Sequence, residues 1–233
     1  MTTSHLLRKI DFGNATADDA GIEELLEYFV EQPQFDGFIL PKSSLQIATA
    51  KKGVGKSALI EWAAYSVRNR EENALVVKCR GADLVGFKTP LSGTLLTPND
   101  HIRNWMIRIR ALANRTLAAR LRIAIRDDRM TLVETAELDG FKARNLVGAL
   151  VDRLSSLLPN SGIEKKAASD EVALFKRSKR PRLWFLVDDL DATFQNTVAE
   201  NLELGTFFTA CRYLAQDCKD VFFRGLCELT CGQ

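Results

Sequence analysis

Gly53, Gly55, Lys56 and Ser57, in the stretch "ATAKKGVGKSALIEW", bring two conformationally permissive residues, an ammonium and a hydroxyl into one turn. That combination suits the holding of a polyphosphate. From Ala50 through Gly55, Lys56 and Ser57 the spacing is that of a phosphate-binding loop, with alanine in place of the usual first glycine. The glycines let successive backbone amides turn inward as an anion nest, and the helix that follows adds the positive end of its dipole. The candidate nucleotide-binding set is the loop itself: Ala50, Lys51, Lys52, Gly53, Val54, Gly55, Lys56, Ser57 and Ala58. Lys56 is expected at the β- and γ-phosphates of a triphosphate, and the Ser57 hydroxyl at Mg²⁺.

Such a site needs a carboxylate at the end of a neighbouring strand, and "LWFLVDDLD" at 183–191 offers one. The apolar run Leu183 to Val187 has the length of a buried parallel strand, and Asp188 falls where the strand leaves the sheet. Asp188 is the candidate metal carboxylate, paired with Ser57. Asp189, its neighbour, is the preferred residue for orienting the attacking water, with Asp191 as the alternative. Taken alone, the three acids would serve equally well to cap a helix starting at "DATFQ". Beside a phosphate loop, the two motifs explain each other.

The elements that must position these residues follow from the pattern. Leu45, Ile47 and the small residues Ala48 to Ala50 form a short strand after turn signals at 41–44, and Leu59, Ile60, Ala63, Ala64 and Val67 then recur at helical spacing. Residues 18–32 read as an amphipathic helix, 74–79 as a second strand and 81–99 as a long loop rich in glycine and proline. Helical patterns cover 100–126 and 130–157, a polar linker 160–170, and a long helix about 192–218. The alternation predicts an α/β fold whose sheet is mainly parallel and flanked by helices, with a helical insertion, about 100–175, between the second strand and the Asp188 strand. Residues 1–40 are a helical lead-in, and 41–233 are the nucleotide-binding domain.

Composition agrees with one such domain. The chain has 233 residues, 46% of them hydrophobic, which suffices for a full core. No apolar run reaches membrane-spanning length and the amino terminus lacks a secretory signal, so a cytoplasmic protein without membrane contact is expected. Only His5 and His101 are present and neither is near a cysteine in sequence. Cys211 and Cys218, on one apolar helical face, therefore read as reduced core residues rather than metal ligands.

The net charge of +2 demands no polyanionic partner. Locally, however, Arg103, Arg108, Arg110, Arg115, Arg120, Arg122, Arg126 and Arg129 cluster in the insertion, and Lys176, Arg177, Lys179, Arg180 and Arg182 precede the Asp188 strand. These allow contact with nucleic acid, while a solvated helix face and loop is the plainer reading, since aromatic interleaving is sparse.

Four segments, "FGNATADD", "YFVEQPQF", "KKGVGKSAL" and "LVDDLDATF", resemble the bacterial P-loop ATPases with a DDLD-type metal strand, akin to the KAP NTPases and the wider STAND and AAA-like group. The resemblance spans about residues 11–222. It implies an additional-strand P-loop NTPase fold, Mg-ATP binding, and a regulatory or signalling ATPase whose nucleotide cycle drives a conformational switch, in some cases linked to phage defence. A protein partner or self-association is implied with it. By the same resemblance Lys56 and Ser57 match the phosphate-loop pair, and Asp188 and Asp189 the metal and water-positioning pair. Such a domain continues after the 192–218 helix with a strand bearing a polar sensor residue, and then with helices that supply an arginine. Here "DVFFRG" begins that strand and "LCELTCGQ" follows without strand alternation. Residues from about 225 onward are thus expected to be a shifted-frame end of a longer gene, against the alternative of a short protein. Two classes of function follow: an ATPase, or a non-catalytic nucleotide-binding and assembly module stabilised by occupancy alone.

Overall fold

Four apolar runs form the strands of one sheet: β1 (Leu45–Ala50), β2 (Leu75–Arg80), β3 (Leu183–Asp188) and β4 (Val221–Glu228). The computed structural model describes residues 21–51, 53–85, 96–120, 147, 150–152, 172–174, 181–190 and 197–228. All the pairings are parallel, in the order β1-β4-β3-β2. Parallel strands need crossovers, which place helices over both faces. The helices are α1 (Ile22–Tyr28), α2 (Pro33–Ile39), α3 (Lys56–Arg70), α4 (Gly81–Val85), α5 (Pro98–Arg120) and α6 (Val198–Asp217). The chain is therefore an α/β protein with a four-stranded parallel sheet flanked by helices.

Register fixes which side chains share a face. Ile47, Gly225, Val187 and Cys79 align across the sheet, as do Ala48, Leu226 and, one strand-pair further, Asp188 with Arg80. With side chains alternating along each strand, Leu75, Val77, Phe185, Val187 and Phe223 face a core built with α5 and α6, where Trp105 meets Phe207 edge to face. Val76, Trp184, Leu186, Phe222 and Leu226 face a second core with α2 and α3, in which Phe29 stacks on Trp62. The insertion's first helix, α5, thus belongs to the main core.

Two expectations are corrected. The helix foreseen over 18–32 is only Ile22–Tyr28 within the described residues, because Gln32 precedes Pro33 and is held extended, at φ −114° and ψ 144°; Pro33 then opens a new helix. The long loop foreseen at 81–99 contains α4 and ends in a capping arrangement. The Thr97 backbone N–H and hydroxyl donate to Asp100 Oδ2 at 2.9 and 2.7 Å, and Pro98 occupies the first turn of α5. Those two bonds hold the Asp100 carboxyl below its ordinary pKa. Residues 225–228 lie in β4, in register with β1 from Gly225↔Ile47 to Glu228↔Ala50, and 229–233 lie outside the described residues. The pattern lacks alternation for a physical reason: β4 lies between two strands and is covered on both faces, so nothing selects polar residues at every second position.

Arg224 occupies the middle of β4 and is fully buried. Its guanidinium donates to the Phe38 carbonyl, to Phe223 O at 2.8 Å and to Leu40 O at 2.9 Å, and lies 4.9 Å from the centre of the Trp184 ring. The Phe38 and Leu40 carbonyls are among those a helix end leaves unpaired. Burial lowers the Arg224 pKa to about 10, which leaves it charged at neutral pH. Cys211 and Cys218 are unbridged thiols and buried, as foreseen for core residues; Cys79 is buried and unbridged as well, and burial raises all three thiol pKa values.

Candidate functional site

The chain leaves β1 at Ala50 and enters α3 at Lys56 through two left-handed residues, Gly53 at φ 80° and Gly55 at φ 84°. Only glycine adopts this conformation without strain. Gly55 is the N-cap of α3 and brings no side chain to its first turn, so the amides there lack a capping acceptor. The result is a loop with inward amides at the start of a 15-residue helix. Lys56 Nζ lies back over the loop, donating to the Ala50 and Lys51 carbonyls at 3.3 and 3.4 Å. Bonds that long are weak and are readily exchanged for phosphate oxygens. Lys52 lies outside the described residues.

At the other half of the site, Asp188 ends β3 and is buried. Its Oδ1 accepts the Asp189 backbone N–H at 2.9 Å. Asp189 has φ 46° and is the only non-glycine residue in the left-handed region among the described residues. A short polar side chain tolerates that conformation best, yet it carries strain. Beyond it, Leu190 N–H donates to Leu226 O at 3.1 Å, which ties the turn to β4. Asp191 lies outside the described residues.

Asp188 shares a cleft with α3 one turn beyond Ser57, and no described residue of the 50–58 loop lines it. A cleft of about 390 Å³ is lined by Ile60 and Glu61 of α3, Lys78 and Arg80 of β2, Asp83 of α4, and Asp188. Ile60 and Glu61 stand three and four positions after Ser57, hence on the same face of α3. The helix face that begins with Ser57 therefore runs into the cleft that holds Asp188. Within it, Lys78 is ion-paired with Glu61, and Asp83 Oδ2 accepts the Arg80 backbone N–H at 2.8 Å. Sequence reasoning missed Glu61, Lys78, Arg80 and Asp83, since each acquires its neighbours only through packing of separate elements. The Ser57 hydroxyl and the Asp188 carboxylate are oxygen donors of the kind Mg²⁺ takes, one or two from a protein with water and phosphate oxygens completing its octahedron. No group of three or more acidic, His or Cys side chains suited to a metal occurs among the described residues.

Gly81 fixes how β2 meets the Asp189 turn. A Cβ built on Gly81 would lie 2.8 Å from Asp189 O and 3.3 Å from Leu190 Cα, both backbone atoms that cannot swing aside. Gly81→Ala is accordingly expected to destabilise the fold by about 1–3 kcal/mol and to displace the Asp188–Asp189 turn. A urea midpoint unchanged from wild type would show that the turn yields freely. At Gly225 the obstructing atoms are the ends of the Leu190 and Ile47 side chains, so an added methyl there is the milder change.

The basic residues on α5 are largely engaged inside the fold. Arg108 lies 4.8 Å from the Trp105 ring centre with its pKa lowered by burial, Arg110 is buried, and Arg120 donates to Ala74 O at 3.1 Å. Arg182 pairs with Glu71 at 2.6 Å at the start of β3, the end of that strand opposite Asp188. Arg122, Arg126, Arg129 and the residues at 176–180 lie outside the described residues. No helix among the described residues is long and apolar enough to cross a membrane.

No protein-family model, curated protein or solved structure matches the chain.

Proposed function

We propose that this chain is a Mg-ATP-binding P-loop NTPase domain of the additional-strand type, acting as a regulatory ATPase whose nucleotide cycle drives a conformational switch. One observation carries the reading: the helix face that starts at Ser57, behind a loop with two left-handed glycines, forms one wall of the cleft that contains Asp188. The strand order supports it, since β4 stands between the phosphate-loop strand and the aspartate strand. An inserted strand at that place is what the additional-strand arrangement denotes.

In this reading the loop amides and Lys56 bind the β- and γ-phosphates, while Ser57 and Asp188 hold Mg²⁺, which supplies charge neutralisation across the phosphate oxygens. Asp189, held in its turn by the Asp188 side chain, orients the attacking water. Lys51, Gly53, Val54, Gly55 and Ala58 complete the loop as backbone, so their side chains contribute little to affinity. The switch and its protein partner follow from the resemblance.

The test is titration of the chain with a fluorescent ATP analogue, with magnesium and with EDTA, together with phosphate release. Binding is expected to require magnesium, and Asp188→Asn to abolish that requirement along with turnover. Binding without release would favour a nucleotide-dependent assembly module. Failure to bind at millimolar nucleotide would overturn the reading.

A further inference from the structure

The site depends on two strand ends that are not neighbours in the sheet: β1, which leads into the loop, and β3, which ends at Asp188. β4 lies between them, so the two strands stand about 10 Å apart. We propose that Leu190, seated over Gly225 of β4 against Ile47 of β1, is the positioning residue that sets this separation and so lets Ser57 and Asp188 serve one magnesium ion. The inference rests on the nucleotide reading above and adds a residue that touches neither nucleotide nor metal.

Gly225 pairs with Ile47 on one side and with Val187 on the other. The space a Cβ would take at Gly225 is already filled, with Leu190 Cδ1 at 2.6 Å and Ile47 Cδ1 at 2.8 Å from that point. Side-chain ends from the aspartate turn and from the loop strand thus meet over β4, and the glycine leaves them room. Leu190 is buried in the main core, and its N–H donates to Leu226 O at 3.1 Å, so its backbone is held to β4 as well. Asp188 is two residues away, with its Oδ1 accepting the N–H of the intervening Asp189. On its other flank the turn abuts Gly81, where a Cβ would lie 2.8 Å from Asp189 O. A turn clamped on both flanks passes a shift of Leu190 on to Asp188.

Leu190 acts from behind the sheet. Leu190 and Val187 belong to the core built with α5 and α6, and Ile47 and Gly225 align with Val187. Asp188 instead lines the cleft with Ile60 and Glu61 of α3. Ile47 is 36% exposed and its end can swing outward, whereas Leu190, 4% exposed, has no such freedom. A methyl added at Gly225 therefore displaces Leu190, and the turn with it. Magnesium demands near-ideal octahedral geometry at about 2.1 Å, so moving one of its two protein oxygens weakens the metal-dependent part of nucleotide binding. The loop amides and Lys56, which meet the phosphates without the metal, keep their places.

The experiment measures ATP affinity with magnesium and in EDTA, and takes the ratio as the metal contribution, for wild type, Gly225→Ala, Leu190→Val and the double variant. Valine lacks the δ carbon that stands over Gly225. Each single change is expected to cut the ratio about 10-fold, the first by pushing the turn and the second by loosening it, with affinity in EDTA within about twofold of wild type. In the double variant the added methyl takes the space the δ carbon leaves, and most of the ratio should return. Leu190→Val and the double variant carry the test should Gly225→Ala fail to give a wild-type urea midpoint. Folded single variants with the wild-type ratio overturn the proposal, as does a double variant no better than the worse single one. So does an equal loss of affinity with magnesium and in EDTA, the mark of a purely structural role. A wild-type chain that binds ATP equally well in both conditions overturns the pairing of Ser57 with Asp188, and one that binds no ATP overturns the nucleotide reading itself, the proposal falling in either case.

Discussion

Lys56→Ala is expected to lower Mg-ATP affinity about 100-fold, equivalent to about 2.7 kcal/mol, with little effect on the fold. The energetic side follows from what the ammonium does in each state. Within the protein it makes two bonds to carbonyls, at 3.3 and 3.4 Å, at a loop already shaped by Gly53 and Gly55. Removing bonds of that length from a partly exposed group should cost stability no more than about 0.5 kcal/mol. Toward a triphosphate the same ammonium offers charge-assisted bonds, each worth about 1.5–3 kcal/mol against a charged acceptor. The measurement is paired: calorimetric or fluorescence titration for affinity, and the thermal midpoint with and without nucleotide. At about 100 times the wild-type dissociation constant, wild type should gain about 2.7 kcal/mol of stability and the variant only about 0.4 kcal/mol at the same concentration. Equal affinities for the two proteins would remove Lys56, and the loop with it, from the site.

What the sequence disclosed here has a common cause. The candidate phosphate loop is contiguous, so its conformation is decided by neighbours in sequence, and Gly53 and Gly55 take left-handed angles that glycine permits. The Asp188 strand was legible because a run buried on both faces is apolar throughout and the first acid marks its exit. The order β1-β4-β3-β2 was not legible, because parallel pairing joins segments far apart in sequence and leaves no local mark at either partner. The cleft was hidden for the same reason: Glu61, Lys78, Arg80 and Asp188 come from three elements. Residues 225–228 lack alternation because alternation is a property of half-exposed strands and β4 is not one. Pro33 did carry its signal, and the helix foreseen through 32 passed over the restriction it places on Gln32.

Arg224 belongs with the features that local reasoning passes over, because a charge inside an apolar run suggests an exposed position, whereas this one is fully buried. Arg224→Ala is expected to destabilise the protein by about 4 kcal/mol, the sum of a large-to-small cavity and of buried carbonyls left without donors. Against a total stability of about 5–15 kcal/mol, such a loss brings the fold near its limit. The mechanism is specific: the guanidinium joins β4 to the end of α2 through Phe38 and Leu40, and it packs on the Trp184 ring. Arg224→Met separates the two contributions. Methionine refills most of the volume and keeps the contact with Trp184, but donates to no carbonyl, so about 2 kcal/mol of the loss should persist. Arg224→Lys restores the charge without the planar fork and should recover only part of that, as one ammonium cannot span both helix-end carbonyls in the same geometry. Urea midpoints at constant slope give the three values. A methionine variant within about 0.5 kcal/mol of wild type would mean that packing alone, rather than the bonds to α2, retains an arginine in this strand. The predicted ranking ties the end of α2 to β4, the strand that stands between β1 and β3.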